Sequence, residues 1–258
     1  MPPHPLDGAR LKVVRAKEHL DAFNEMSFRY LKTEPYKIVP ELGPEVIRID
    51  CIVTAEPPPA LAYIVGDFVT NIRAALDYIA WELFSKFGPT DWKEGQQRRI
   101  IFPIIPSKPD FTKVDGSTKL LREANIPAPA LDVIESVQPY HAGYESLKSL
   151  NLLVNRDKHR TLLLCASFVE SAGNFSVYHR GKLAWTVSGM TEMSMNLAAF
   201  SPSLVGSTDF KMTVEGKPTV LIAIKDFPVP PKLVWVGILE QILKCVTNIV
   251  PRFDQFFL

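Results

Sequence analysis

The sequence predicts an α+β protein: a helical bundle with an N-terminal β-hairpin and a C-terminal antiparallel β-meander closed by a final helix. Three observations predict it. Apolar residues recur at helical spacing through residues 11–31, 60–87 and 144–165, as in helices that bury one face. Short runs rich in β-branched and aromatic residues follow at 174–179, 182–187, 194–199, 211–214 and 219–224. No low-complexity tract or flexible linker divides the two textures. The chain therefore reads as a single composite domain over 1–258, mainly helical through 1–165 with a hairpin near 36–53, and sheet plus helix over 166–258.

Taken in order, Val13, Ala16, Leu20 and Phe23 mark the inner face of the first helix. Residues 36–39 and 46–53 have strand composition around Leu42-Gly43-Pro44, and the alternation Val46-Ile47-Arg48-Ile49-Asp50-Cys51-Ile52 predicts the hairpin. Pro57, Pro58 and Pro59 end the strand and preset a helix start, because a first helical turn has no use for the N–H that proline lacks. The helix so opened spans 60–87. Phe102-Pro103-Ile104-Ile105-Pro106 is an extended, proline-bounded connector; 110–124 holds one or two short helices, and Pro127-Ala128-Pro129 opens another running to Val137. Helical spacing returns from Tyr144 to about Cys165, ahead of the strands. Pro228, Pro230 and Pro231 introduce the final helix, whose apolar Leu233, Val236, Leu239, Ile242, Leu243 and Val246 suit packing on the sheet or a homodimer.

With 258 residues and 47% hydrophobic content, the chain can bury a substantial core without metals or disulfides. Lys+Arg 29 against Asp+Glu 28 leaves a formal charge of +1, so no global field favours a polyanion. Cys51, Cys165 and Cys245 are scattered and lack a C-x-x-C spacing, which argues against a disulfide framework or a zinc site and for a reducing compartment. Met1-Pro2-Pro3-His4-Pro5 has no basic-then-apolar pattern of a secretory or transit signal. Glu240, Gln241, Lys244 and Asn248 interrupt the longest apolar stretch, so no membrane span is predicted and a cytoplasmic location is the expectation.

Two helical segments carry polar residues on faces that helical geometry directs inward. At about 100° per residue, Asp67, Thr70, Asn71, Ala74 and Asp77 share one arc of the helix over 60–87. Arg73 and Asp77 lie one turn apart and can pair, for about 0.2–0.5 kcal/mol on their own. In the second segment Asn151, Asn155, Lys158 and His159 fall on one side, with Arg156 and Arg160 stacked on another and Asp157 between them. If the stripes face one another, Asp67, Asn71, Asp77, Asn155 and His159 line one cleft. The alternative is structural: buried Asn and His commonly satisfy hydrogen bonds that set helix register. Tyr78, Trp81 and Phe84 are taken as packing.

Together the strings Gly66-Asp67-Phe68-Val69-Thr70-Asn71-Ile72-Arg73-Ala74-Ala75-Leu76-Asp77-Tyr78, Phe102-Pro103-Ile104, Gln138-Pro139-Tyr140 and Asn155-Arg156-Asp157-Lys158-His159-Arg160 resemble an uncharacterised bacterial protein family of actinobacterial type, over roughly the first two thirds of the chain. Thr70 stands where its members often carry His. The resemblance brings no demonstrated substrate. A looser resemblance is to HEPN domains, helical bundles in which an Arg and a His on one helix cleave RNA. It implies His159 moving a proton and Arg156 or Arg160 stabilising phosphate charge, although Arg156 and His159 lie closer together than that family's spacing.

No Glu-x-x-His pair, Walker-type loop, Gly-x-Gly-x-x-Gly or Gly-x-Ser-x-Gly elbow occurs, so neither a metal nor another cofactor is expected. The leading expectation is a ligand- or partner-binding or accessory role, with Asp67, Asn71, Arg73, Asp77, Asn155, Asp157 and Lys158 as binding residues. The partner is an unknown small ligand or a protein. The alternative is metal-independent RNA cleavage by His159 with Arg156 and Arg160, and whether the protein is an enzyme stays open.

Overall fold

A computed structural model describes residues 3–42, 47–113, 118–160, 162, 164–169, 174–179, 182–188, 197–199, 212–215, 219–225 and 234–258. Helix α1 (Asp7–Lys32) leads into strands β1 (Tyr36–Leu42) and β2 (Ile47–Val53) and the long helix α2 (Ala60–Phe87). Short helices follow: α3 (Glu94–Gln97), α4 (Lys108–Thr112), α5 (Lys119–Glu123), α6 (Ala128–Ser136) and α7 (Ser146–Asp157). Strands β3 (Leu164–Val169), β4 (Asn174–His179), β5 (Lys182–Ser188), β6 (Leu197–Ala199), β7 (Met212–Glu215), β8 (Thr219–Ile224) and β9 (Val234–Trp235) precede helix α8 (Gly237–Ile249) and a 3₁₀ helix (Val250–Phe256). The α+β class is as the sequence predicts.

Helix α2 is the centre of the core because its apolar residues cover more than one face. Val65, Phe68, Ile72, Leu76, Ile79 and Leu83 are all essentially inaccessible, and full burial of one such side chain contributes about 1.5–3 kcal/mol. Its largest interface is with α1, which presents Ala9, Ala16, Leu20 and Phe23. The end of α1 is tied to the chain leaving β2 by the Tyr30 hydroxyl, which donates to the Ala55 carbonyl at 2.6 Å.

Strands β1 and β2 pair antiparallel from Tyr36↔Val53 to Leu42↔Ile47, and residues 43–46 between them lie outside the described residues. The other edge of β2 takes β6, so the hairpin belongs to a three-stranded sheet. The later strands are antiparallel, but their neighbour order departs from a sequential meander: β5-β4-β7 form one sheet and β3-β8-β9 another.

One boundary corrects the sequence reading. Helix α7 ends at Asp157 instead of continuing to Cys165, and 164–169 is strand β3 paired with β8. The apolar run 162–165 suits a buried helix and a central strand equally well by pattern alone. Its β-branched partner Thr219–Ile224 decides for the strand, with Leu162, Cys165, Ile222 and Ile224 buried. Helix α8 places Leu239, Ile242, Val246 and Ile249 against α7 and α1, so its apolar face is used within the chain; Pro228, Pro230 and Pro231 lie outside the described residues. Among the described residues, no helix is long and apolar enough to cross a membrane.

Candidate functional site

The polar stripe of α2 is shared among three neighbours. Nearest its centre, Arg73 and Asp77 form a bidentate pair, with Nε to Oδ2 at 3.1 Å and Nη2 to Oδ1 at 2.8 Å. Both also reach the extended segment after α3: Arg73 Nη2 donates to the Phe102 carbonyl at 2.7 Å, and the Phe102 N–H donates to Asp77 Oδ1 at 2.9 Å. A strand edge normally finds this two-way pairing in another strand; here a helical ion pair supplies it. Arg73 is 13% exposed, so the pair is a partly desolvated structural clamp.

The same segment is gripped from its far side by Gln138, which is fully buried. Its Oε1 accepts from the Ile105 N–H at 2.8 Å, and its Nε2 donates to the carbonyls of Pro103 at 3.0 Å and Ile134 at 2.8 Å. Pro103 has no N–H to satisfy, and Phe102 and Ile105 fill the core below. The strings containing Arg73, Asp77, Phe102-Pro103-Ile104 and Gln138-Pro139-Tyr140 thus act together to hold one extended segment between α2 and α6.

Towards the start of α2 the stripe behaves differently. Asn71 Nδ2 donates to the Asp67 carbonyl at 2.8 Å, and its Oδ1 accepts from Lys12 Nζ of α1 at 3.2 Å. Asp67 is exposed. Beside it, Gly66 is buried beneath the Asp157 carboxylate at the end of α7: a Cβ at Gly66 would lie 2.7 Å from Oδ1 and 3.0 Å from Oδ2. A larger residue there would force the Asp157 side chain to move. Burial, and then the neighbouring charge of Asp67, push the Asp157 carboxyl above its ordinary value. Its place in the last turn of a helix, where the backbone dipole is negative, acts in the same direction. No hydrogen bond to this carboxylate forms among the described residues.

The structure therefore joins Asp67 and Asp157 across α2 and α7, while it sends Asn71 to α1 and Arg73 with Asp77 to the Phe102 segment. Asn155 and Lys158 are exposed, Arg156 is half-buried, and His159 and Arg160 are exposed beyond the last turn of α7. Their backbone N–H groups both bond to the Arg156 carbonyl, at 3.0 and 2.8 Å, which closes the helix C-terminus. Sequence reasoning missed Gly66 as a contact point, Lys12 as a partner and Gln138 as a clamp. The glycine at the head of the polar stripe was the available signal for the first.

Among the described residues, no three His, Cys, Asp or Glu side chains gather as a metal site. An opening of about 500 Å³ lies between the 142–146 turn and α8, lined by Ser146 and Cys245 among others. Burial raises the Cys245 thiol, Ser146 opposes the shift by hydrogen bonding, and Glu145 adds to it. That thiol is buried and packed in the core. No protein-family model, curated protein or solved structure matches the chain.

Proposed function

We propose that this is a binding or accessory protein whose ligand-facing element is the α2–α7 junction, where Asp67 and Asp157 present paired carboxylates to solvent beside Asn155 and Lys158. The observation that carries the proposal is the Asp157 carboxylate pressed over Gly66, next to Asp67 and without a donor among the described residues. Holding a partly buried carboxylate beside a like charge is costly, and a bound donor reduces that cost. The junction suits an ammonium or guanidinium group of a small ligand or of a protein partner, because such a group donates to both carboxylates at once. Arg73 and Asp77 belong to the scaffold in this reading.

The test is the thermal unfolding midpoint of the full chain with spermidine or arginine amide. A ligand that binds only the folded state stabilises it by about 2.7 kcal/mol at one hundred times its Kd. The midpoint should rise with at least one probe in the wild type and by clearly less in Asp67→Asn. No rise, or a rise of equal size in Asp67→Asn, would reject the junction as the site. Metal-free incubation with a mixed RNA pool, beside His159→Ala, is run in parallel. Cleavage lost in that variant would transfer the function to the RNA-cleaving alternative through His159, Arg156 and Arg160.

A further inference from the structure

Fourteen residues along α2 from Asp67, about 21 Å at 1.5 Å per residue, the helix borders an opening that the polar stripe does not explain. Tyr78, Trp81 and Glu82 face the segment Gln97, Arg98 and Ile100 across a hollow of about 530 Å³. The sequence reading takes Tyr78, Trp81 and Phe84 as packing. Phe84 is indeed buried, but Tyr78 and Trp81 remain 42% and 41% exposed, an unusual outlay of aromatic surface on the central helix of a core.

The walls of this hollow are held in place. The Trp81 ring packs on Phe84 with centroids 5.6 Å apart, and Phe84 packs on Trp92 at 5.5 Å. Gln97 Nε2 donates to the Trp92 carbonyl at 2.8 Å, which anchors the opposite wall to the same aromatic row. The Tyr78 ring is backed by Gly8 of α1, where an added Cβ would come within 3.0 Å of it. Ile100 is buried at the edge of the floor.

The charges within the hollow are unequal in availability. Asp77 is saturated by Arg73 and the Phe102 N–H. Arg98 pairs with Glu94 on the outer surface. Glu82 is half-buried and forms no hydrogen bond or ion pair among the described residues, and burial holds its carboxyl above the ordinary value. One uncommitted carboxylate beside two aromatic rings, with the buried Ile100 at their edge, is the chemistry that selects a cation with an apolar envelope.

We infer that the hollow bounded by Tyr78, Trp81, Glu82 and Gln97 is a binding site for an organic cation, an alkylammonium or guanidinium group. The rings supply the face on which the cation sits and Glu82 supplies the counter-charge. The group belongs either to a free small molecule or to a basic side chain of a peptide.

The experiment is calorimetric titration of the full chain with tetramethylammonium chloride, with arginine amide, and with an acetylated Gly-Arg-Gly amide peptide, against sodium chloride of equal ionic strength as blank. Saturable binding is expected for at least one probe, weakened about tenfold or more in Trp81→Leu and in Glu82→Gln. It should be unchanged in Glu123→Gln, an exposed carboxylate elsewhere. Tighter binding of the peptide assigns the cation to a partner's side chain, and tighter binding of the free cations assigns it to a small molecule. Both substituted side chains reach solvent, and far-UV circular dichroism with cooperative unfolding verifies that the variants fold. Absence of saturable binding by all three probes, or binding indifferent to both substitutions, overturns the inference.

Discussion

Asp157 shows how one side chain can be costly to the fold and still be placed with care. Its carboxyl is raised by burial first and by Asp67 second, from an ordinary value of 3.8. Below that value it is protonated in both folded and unfolded chains and carries no penalty. As pH rises past it, the unfolded chain ionises first, and stability is lost until the folded carboxyl ionises as well. Asp157→Asn is therefore expected to unfold at a higher temperature than wild type near pH 7, with the difference vanishing near pH 3, as read by thermal melts at about those two values. A variant less stable than wild type at neutral pH would mean that the carboxylate has a stabilising partner. The Arg73–Asp77 pair was legible from its four-residue spacing. Its use in satisfying both backbone groups of Phe102 was not, because that partner is set by the path of a loop and not by helix periodicity.

At the scale of elements, the extended segment around Phe102–Ile105 depends on side chains for bonds that a sheet would otherwise supply. Gln138→Leu should preserve volume approximately while leaving the Ile105 N–H and the Pro103 carbonyl without their partner. Each buried unsatisfied group costs about 1–3 kcal/mol, so a loss of about 2–6 kcal/mol in denaturant unfolding is expected. A loss below about 0.5 kcal/mol would mean that water replaces the amide. The start of α2 was legible because proline opens it. The end of α7 was not, since polar residues 155–160 continue a plausible helical face and the following apolar run takes strand form only when β8 is beside it.

For the molecule as a whole, the chain ends are tied to the centre. Arg10 in α1 pairs with Asp254 at 2.6 Å, and Lys86 at the end of α2 donates to the Phe256 carbonyl at 2.6 Å, with its ammonium over the Phe257 ring. Phe253 is fully buried and meets Phe102 edge to face at 6.1 Å, so the C-terminal 3₁₀ helix closes the core beneath the clamped segment. Phe253→Ala should cost about 3–5 kcal/mol in denaturant unfolding. It should also loosen Phe102, visible as faster amide exchange at Ile105. A cost near zero would show that the 3₁₀ helix is an appendage.

The sequence by itself determined the α+β class, the course of the first helices, the strand character of 36–42, 47–53, 174–179, 182–187 and 219–224, and the polar residues worth following, because period, proline placement and residue shape act over a few neighbours. The tertiary structure decided where those residues point. It divided one stripe into a scaffold clamp at Arg73 and Asp77, a link to α1 at Asn71, and a carboxylate junction at Asp67 and Asp157. It also left Trp81 and Tyr78 in the open when their apolar character alone predicted burial. The physical reason is that helical spacing defines which residues share a face, whereas the identity of the opposing surface depends on contacts made by distant parts of the chain.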